Sequence, residues 1–356
     1  MDVERFLQLV YGQDFFDDQV VHSKVLSEKP AVFQEVAGGL HDAVAETLDS
    51  LDIKQLYSHQ ATAIEQVRDH QNIVIVTGTA SGKTLCYTIP VLEKLLANRL
   101  STMLFMYPTK ALAQDQLRAL GAFQSKDGPI QFMAGTYDGD TPQNLRRKLR
   151  DGGNVILTNP DMLHQGILPQ HTRWSRFFTN LQYVVIDEVH AYRGVFGSHL
   201  ANVIRRLNRI CHHYGSSPQF ICSSATIANP RQHAERICGV PMQLVDNDGA
   251  PRGPKRFILW NPPPLKNAGM GDASNWRIGG DRRSPLGEAI ELMTTLVKQG
   301  IQTIAFVRTR LASELIFKGC RERLGAASRR LADSVHAYRG GYLPEERREI
   351  ERKLAS

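Results

Sequence analysis

The sequence predicts an α/β protein with a mostly parallel sheet and helices on both faces. From about residue 51, short β-rich runs alternate with helical segments, which is the pattern of a parallel sheet. Several runs, such as NIVIVT (72–77), are continuously apolar, as expected for strands that are covered on both faces. A chain of 356 residues, 42% of them hydrophobic, is long enough for about two domains with cores of their own.

The predicted elements follow one another in a regular order. After NIVIVT, and with helical segments between most of them, the strand candidates are TMLFMYP (102–108), IQFMAGT (130–136), NVILTNP (154–160), LQYVVIDE (181–188) and QFICSSAT (219–226). A long helix is predicted from about Ser198. The alternation stops after MQLVD (242–246), where Gly, Pro, Asn and Asp become frequent and KRFILWNPPP (255–264) suggests one more strand. It resumes at Ser284 with a helix, the strand QTIAFVRT (302–309) and a further helix.

These breaks divide the chain into four predicted segments. They are a helical lead-in (1–50), an α/β lobe (51–248), a boundary strand and loop (249–284) and the start of a second α/β domain (285–356). The last predicted helix, PEERREIERKLAS, reaches the end of the sequence without a stop signal. The second domain is therefore predicted to begin without being finished, and we expect the sequence to be a fragment of a longer protein.

The composition favours an anionic partner and a reducing compartment. The formal net charge is +7, which suits a nucleic acid, although a solvated basic surface gives the same number. The five cysteines are scattered and form no CxxC pair, which indicates neither a disulfide framework nor a zinc site. The N-terminus lacks a signal-peptide pattern, and no stretch is apolar enough to span a membrane. These observations predict a cytoplasmic protein with no membrane partner.

A phosphate-binding loop, TGTASGKT, follows the first strand. Because it stands between a buried strand and a helix, its backbone N–H groups and the helix N-terminus can surround phosphate oxygens. Lys83 offers a positive charge to the outer phosphates, and the hydroxyl of Thr84 can bind Mg2+. Thr77 stands where the usual pattern has its first glycine. The predicted nucleotide-binding residues of the loop are Thr77, Gly78, Thr79, Ala80, Ser81, Gly82, Lys83 and Thr84.

Two further motifs are predicted to lie beside this loop. YVVIDEVH places Asp187 and Glu188 at the end of a buried strand, where Asp187 can help to hold Mg2+ and Glu188 can activate the attacking water. In CSSATIANP, Ser224 and Thr226 follow the strand QFIC and would lie at the carboxyl edge of the sheet, where ligands bind. Their hydroxyls can hydrogen-bond the acidic motif and relay the state of the nucleotide.

TGTASGKT, DEVH and SAT, in this order, resemble the first RecA-like lobe of superfamily-two helicases of the DEAD/DEAH type. The resemblance extends over nearly the whole chain from Leu56 and implies a RecA-like P-loop NTPase lobe that binds ATP and Mg2+, followed by an incomplete second RecA-like lobe. LYSHQATAIE is similar to the element whose glutamine, here Gln60, recognises adenine. His190 ends DEVH and is implied to couple the catalytic residues Lys83, Asp187 and Glu188 to SAT.

The resemblance also implies nucleic-acid contacts. YPTKALAQDQ, LTNPDMLH and TIAFVRTR are similar to the motifs that contact the nucleic-acid backbone in this superfamily. The implied nucleic-acid-binding residues are Thr109, Lys110, Thr158, Asp161 and Arg308. Contacts of this kind to phosphates do not depend on base sequence.

A narrower resemblance is to the MrfA/YprA-type bacterial DNA-repair helicases and their fungal RecQ-like relatives. It is carried by TYDGDTP, LTNPDMLHQGILPQH, DEVHAYRGVFGSHLANVIRRL and SSATIANP. Members of that family unwind DNA, and their longer chains end in a cysteine-rich zinc-binding domain. The present sequence has neither that domain nor the late second-lobe motifs that supply an arginine finger, so the resemblance implies slow ATP turnover by these residues alone.

The sequence therefore predicts an ATP-dependent helicase or translocase acting on DNA, single-stranded or partly duplex, with a role in DNA repair. An RNA helicase or ribonucleoprotein remodeller is the first alternative, because phosphate contacts do not identify the sugar. A module that binds ATP and nucleic acid with little turnover is the second. A phosphate-loop kinase is disfavoured by DEVH and SAT together. The sequence leaves the direction of movement, the lesion and the oligomeric state open.

Overall fold

The computed structural model describes residues 3–124, 128–264, 282–339, 341–342 and 344–355. It divides the chain into two compact units. Met1–Ser27 and Pro254–Ser356 form one of them, which we call the split unit. Glu28–Gly253 forms the other, which we call the continuous unit.

Strands and helices alternate along most of the described residues. The strands are β1 (Val20–Leu26), β2 (Ile73–Val76), β3 (Thr102–Met106), β4 (Ala134–Thr136), β5 (Val155–Thr158), β6 (Leu181–Ile186), β7 (Gln219–Ser224), β8 (Gln243–Val245) and β9 (Lys255–Trp260). The α-helices are α1 (Val3–Tyr11), α2 (Asp42–Ser50), α3 (Ser58–Arg68), α4 (Lys83–Ala97), α5 (Lys110–Gly121), α6 (Gln143–Gly152), α7 (Pro160–Met162), α8 (Ser175–Thr179), α9 (Gly194–His213), α10 (Pro230–Cys238), α11 (Pro285–Lys298), α12 (Arg310–Gly325), α13 (Arg329–Asp333) and α14 (Pro344–Ala355). A π-helical turn (Leu163–Ile167) and two 3-10 segments (Leu168–Trp174 and Val189–Ala191) add to these.

The continuous unit is built on a parallel sheet of seven strands in the order β4-β5-β3-β6-β7-β2-β8. Ile73 of β2 is in register with Ile221 of β7 and with Gln243 of β8. The loop after β2 is therefore flanked by the carboxyl ends of β7 and β8, and β6 is the next strand beyond β7. Ligands of open parallel sheets bind at this edge. The predicted mostly parallel sheet is confirmed.

Apolar side chains cover this sheet on both faces. Val74 and Val76 of β2 belong to one cluster of buried residues, and Ile73 and Ile75 belong to another. The alternation arises because successive side chains of a strand point to opposite faces. Helix α9 contributes to the first cluster, and α3 and α4 contribute to the second. Helices on both faces are thus confirmed, and each fully buried side chain of this size stabilises the fold by about 1.5–3 kcal/mol.

The N-terminal segment differs from the predicted helical lead-in. Residues 1–50 contain two helices, α1 and α2, but also strand β1, which pairs antiparallel with β9 more than 200 residues later. A pairing so distant in sequence leaves no local pattern in β1, which shows no alternation of buried and exposed residues, whereas β9 alternates between exposed and half-buried residues and matches the strand that its sequence suggests. The compact units are separated at Ser27/Glu28 and Gly253/Pro254, whereas the predicted boundaries lie at 50/51, 248/249 and 284/285.

The strand expected over 302–309 is a second difference. The described residues 301–307 lie outside any strand, and Ile304 and Phe306 are exposed. A strand is held by backbone hydrogen bonds to a neighbour, and the strands described in this unit, β1 and β9, pair with each other. The helices α11, α12 and α13 pack together around a separate small core that includes Ile316. None of the described helices has the length and apolar character needed to cross a membrane.

Candidate nucleotide and nucleic-acid site

The phosphate loop turns sharply between β2 and α4. Two residues with positive φ shape it, Ala80 (φ 58°) and Gly82 (φ 75°), and Gly82 directly precedes α4. The ammonium of Lys83 donates to the carbonyl oxygens of Thr77 (3.0 Å) and Gly78 (2.8 Å). The loop thus brings one positive charge, its own N–H groups and a helix N-terminus together, which is a fit for a polyphosphate.

Thr77, the departure from the usual glycine, has a structural task inside the loop. Its side chain is buried, and its hydroxyl lies 2.6 Å from that of Ser81. The hydroxyl of Ser81 in turn donates to the carbonyl of Gly78 at 2.9 Å. The threonine therefore closes the loop with a side-chain bond that glycine cannot make.

Gln60 lies in the first turn of α3, beside the same loop. Its Oε1 accepts from the N–H of Tyr57 (2.9 Å), and its Nε2 donates to the carbonyl of Gly82 (3.0 Å). A Cβ atom on Gly82 would stand 2.6 Å from that Nε2 and would displace the end of the Gln60 side chain, and the φ of 75° also favours glycine at this position. The structure brings the predicted adenine-side residue and the phosphate loop into direct contact.

Asp187 is buried at the end of β6, and both of its carboxylate oxygens have protein donors. Oδ1 accepts from the hydroxyl of Ser223 on β7 and from the N–H of Glu188, the latter at 2.9 Å. Oδ2 accepts from the phenol of Tyr87 on α4 at 3.4 Å. Burial, and then the Asp187 carboxylate, raise the pKa of Tyr87 well above its ordinary value, so the phenol stays a donor. These bonds link the helix of the phosphate loop to the acidic motif.

Glu188 occupies a left-handed backbone conformation, with φ 53° and ψ 43°. Such a conformation in a residue other than glycine costs on the order of 1–3 kcal/mol and is typical of functional sites. It starts the short 3-10 segment that carries His190. The Nδ1 atom of His190 lies 3.1 Å from Oε2 of Glu188 and accepts from the N–H of Ala225 at 3.1 Å. These two partners require opposite roles of Nδ1. It must be unprotonated to accept from the N–H of Ala225, but it must carry a proton to donate to the carboxylate of Glu188.

The predicted coupling residues occupy different environments. Ser224 is buried and donates to the carbonyl of Ala225 at 2.8 Å, whereas Thr226 is exposed. Neither is the hydroxyl that reaches Asp187, because that hydroxyl belongs to Ser223. The sequence contains both serines side by side, but only the pairing of β6 with β7 determines which of them meets the carboxylate.

Sequence reasoning also missed three side chains that contact the loop or its helix. Oε1 of Gln116 on α5 lies 3.4 Å from the hydroxyls of both Thr84 and Tyr87, and it can accept from Thr84 while the single phenol proton of Tyr87 is directed to Asp187. Asp248 accepts from the N–H of Gly78 at 3.1 Å. His59 lies 3.0 Å from the carbonyl of Ser81 through its Nε2. Asp248 stands in a stretch whose composition indicates only a loop, so no sequence signal could have selected it.

The predicted nucleic-acid contacts lie at two neighbouring strand ends and in the other unit. Thr109 caps α5 by accepting from the N–H of Leu112, and Lys110 is exposed. Asp161 is exposed after β5, which pairs with β3. Thr158 is buried, and its hydroxyl donates to the carbonyl of Tyr137 at 2.7 Å. Arg308 is exposed in the split unit.

Lys110 has an acidic neighbour. Its ammonium lies 2.7 Å from Oδ2 of Asp140, which belongs to the TYDGDTP loop. The hydrogen bond to Asp140 raises the pKa of Lys110, and both side chains are largely exposed. Such an exposed pair is worth little to stability, about 0–1 kcal/mol, so its partners can exchange for others.

Comparison with known proteins identifies the family of the chain. Residues 57–233 match the family model of the DEAD/DEAH box helicases. YprA of Bacillus subtilis (strain 168), named as an ATP-dependent helicase, is 45% identical over 338 residues, which cover 95% of this chain and 43% of YprA. The ATP-dependent helicase HRQ1 of Saccharomyces cerevisiae is 36% identical over 357 residues, which cover 99% of this chain and 32% of HRQ1.

A solved structure extends the likeness to three dimensions. The crystal structure of the DUF1998 helicase MrfA bound to DNA and AMPPNP has a TM-score of 0.87 and 42% sequence identity, and the match covers 99% of this chain and 47% of MrfA. The chain thus spans less than half the length of these relatives. The phosphate loop, the acidic motif and the overall likeness lead to one conclusion. The chain is a member of the DEAD/DEAH box helicase family, of the type that YprA, HRQ1 and MrfA represent.

Proposed function

We propose that this chain supplies the ATP-hydrolysing lobe of a helicase that moves along DNA. The observation that carries the proposal is the convergence of the phosphate loop, Asp187, Glu188 and His190 at one edge of the sheet, where Tyr87 and the N–H of Glu188 donate to Asp187 and His190 lies beside Glu188. A crystal structure of MrfA bound to DNA, in which MrfA is 43% identical to this chain, favours DNA as the nucleic acid along which the helicase moves.

The chain's own residues divide the chemistry among them. Lys83 would exchange its loop carbonyls for phosphate oxygens and offset their charge. Thr84 and Asp187 offer hard oxygen ligands, the kind that Mg2+ prefers, and a bound Mg2+ would neutralise charge that develops on the phosphates. Glu188, half-exposed beside them, would accept the proton of the attacking water. His190 would report the state of Glu188 to the loop after β7 through Ala225.

The proposal is tested by comparing ATP hydrolysis by the unaltered chain with ATP hydrolysis by the Glu188→Gln variant. We expect Glu188→Gln to keep nucleotide binding and to lower the hydrolysis rate by at least about a hundredfold, the lower end of what a general base contributes. The measurement is phosphate release with Mg2+ and single-stranded DNA. Glu46→Gln, an exposed carboxylate on α2, is the matched control. Equal rates in both variants would contradict the role of Glu188, and nucleotide binding without any hydrolysis by the unaltered chain would favour a binding module.

DNA and RNA oligonucleotides of matched sequence test which nucleic acid the protein moves along. We propose DNA rather than RNA, and DNA repair as the setting. Single-stranded DNA should then stimulate ATP hydrolysis more than RNA of the same sequence. Stimulation by RNA alone would favour a ribonucleoprotein remodeller instead.

Two further points belong to this proposal. Residues 285–356 are proposed to begin a second RecA-like lobe, with Arg308 as a contact to the nucleic-acid backbone. The cytoplasm is the proposed compartment, since all five cysteines are free thiols, which persist in reducing surroundings.

A further inference from the structure

A short antiparallel strap joins the two places where the chain passes between its compact units. We define the strap as residues 29–32 together with residues 248–252, both of which lie in the continuous unit. The N–H of Lys29 donates to the carbonyl of Arg252 (2.8 Å), and the N–H of Arg252 donates to the carbonyl of Lys29 (2.9 Å). Further in, the N–H of Val32 donates to the carbonyl of Gly249 at 2.9 Å. The two crossings are thereby fastened to each other.

The strap is bonded to the phosphate loop through Asp248. Its Oδ2 accepts from the N–H of Gly78 at 3.1 Å, and its Oδ1 accepts from the N–H of Ala250 at 3.0 Å. The ammonium of Lys29 donates to its backbone carbonyl. Burial alone would raise the pKa of Asp248, but these N–H groups and the charge of Lys29 outweigh it and lower the pKa. The carboxylate is therefore an anion at neutral pH, fixed between strap and loop.

A second bond runs through His59, whose side chain is completely buried. Its Nδ1 accepts from the N–H of Gly249 at 3.2 Å, so the ring proton must lie on Nε2. Nε2 then donates to the carbonyl of Ser81 in the phosphate loop at 3.0 Å. One neutral tautomer satisfies both partners. The next residue, Gln60, makes its own bond to the loop.

Close packing leaves the strap little freedom to move alone. A Cβ atom on Gly249 would stand 2.4 Å from the hydroxyl of Ser58 and 2.5 Å from the carbonyl of Val32. The N–H of Ser58 donates to that carbonyl at 2.8 Å, and the hydroxyl of Ser58 donates to the carbonyl of Asn247 at 3.0 Å. Strap, first turn of α3 and phosphate loop therefore form one packed contact.

We propose that the strap couples the chain crossings to the nucleotide site, with His59 and Asp248 as the positioning residues that transmit displacement in both directions. Hydrogen bonds of about 3 Å do not survive a displacement of even 1 Å, so a pull on either crossing must alter the loop. The inference rests on the proposed function, because it links nucleotide binding to DNA binding. Coupling of this kind is reciprocal.

The test measures the affinity of the full chain for a fluorescent non-hydrolysable ATP analogue, with and without a saturating single-stranded DNA oligonucleotide. The ratio of the two affinities is the coupling factor. We expect the wild-type coupling factor to lie in the range that is usual for coupled binding sites. His59→Asn and Asp248→Asn should each reduce this factor by about threefold or more. His212→Gln, an exposed histidine on α9, should leave it unchanged. Lys29→Gln removes only one strap bond. It replaces the His59 and Asp248 variants in this test if thermal unfolding shows that those variants are not folded.

Acidification supplies a readout that a merely structural role would not move. Burial is the main cause that lowers the pKa of His59 from 6.5; Asp248, Lys83 and Lys29 face the ring, and Tyr57 stacks on it. The stability contributed by the neutral ring is complete above pH 6.5 and is lost as the pH falls through the lowered folded value. A proton on Nδ1 would break the bond to Gly249, so nucleotide affinity should fall on acidification in the wild type. His59→Gln should lack that step.

Two outcomes would overturn the inference. If His59→Asn and Asp248→Asn fold and keep the wild-type coupling factor, the strap does not couple the crossings to the nucleotide site, and the proposed function stands. Where those two variants do not fold, a folded Lys29→Gln variant with the wild-type coupling factor leads to the same conclusion. If the wild-type factor is one, and ATP hydrolysis is indifferent to DNA, both the strap and the proposed function fail.

Discussion

Asp187 depends on donors from two other elements for its fixed position. Ser223 reaches one carboxylate oxygen from the neighbouring strand, and Tyr87 reaches the other from α4. A hydrogen bond to a charged group is worth about 1.5–3 kcal/mol, more than a bond between neutral groups. The orientation of a residue proposed to hold Mg2+ therefore depends on hydroxyl groups outside the acidic motif.

Ser223 and Ser224 offer a test of this dependence at the scale of one residue. We expect Ser223→Ala to weaken Mg2+-dependent ATP hydrolysis by about tenfold or more, because Asp187 loses a donor worth about 1.5–3 kcal/mol. Ser224→Ala, which removes a bond to the carbonyl of Ala225, should cost less. The measurement is the hydrolysis rate as a function of Mg2+ concentration. A larger loss in Ser224→Ala would contradict the assignment of Ser223.

Helix α9 supports the site at the scale of whole elements. It begins at Gly194, separated from the DEVH segment by three residues, and packs its buried residues Leu200, Val203, Ile204 and Leu207 against one face of the sheet. Its opposite side carries exposed arginines, among them Arg205 and Arg209. The spacing of the apolar residues by three and four is what makes one face of this helix a core face.

The two faces of α9 should respond differently to substitution. Leu207→Ala should lower the free energy of unfolding by about 2–5 kcal/mol, because it removes a fully buried side chain and leaves a cavity. Arg209→Ala on the exposed face should change it by less than about 0.5 kcal/mol. Urea denaturation of the two variants makes the comparison. Equal losses would mean that α9 is not held by its apolar face.

At the scale of the whole molecule, charge governs the expected interaction with nucleic acid. The formal net charge of +7 favours an anionic partner at long range, and contacts to phosphates make affinity fall with salt. Among the predicted contacts of the continuous unit, Lys110 carries a positive charge at an exposed strand end, held by Asp140 in an exposed pair. A phosphate group can compete for this ammonium.

Salt titrations should reveal the contribution of Lys110. We expect Lys110→Gln to weaken single-stranded DNA binding and to reduce the slope of log affinity against log salt by about 0.7, the value for one phosphate contact on a single strand. Fluorescence anisotropy at several salt concentrations gives the slope. Lys148→Gln, exposed on α6, is the matched control. An unchanged slope in Lys110→Gln would remove this residue from the interface, whereas Asp140→Asn should strengthen binding.

The parallel α/β lobe, the phosphate loop and the family could all be predicted from the amino-acid sequence. These depend on local information: continuous apolar runs mark buried strands, and TGTASGKT holds its whole chemistry in eight consecutive residues. The sequence also predicted that Asp187 and Glu188 follow a buried strand, and β6 does end at Ile186.

The contacts between distant residues could be read from the folded chain alone. The fold joins segments that lie far apart in sequence. It pairs β1 with its antiparallel partner, places Ser223 rather than Ser224 against Asp187, and brings His59 and Asp248 to the phosphate loop. Such contacts follow from strand order and register, which no local pattern encodes. The same reason explains why 302–309 resembles a strand in sequence yet lies outside any strand in the structure: a strand requires a partner as well as a suitable sequence.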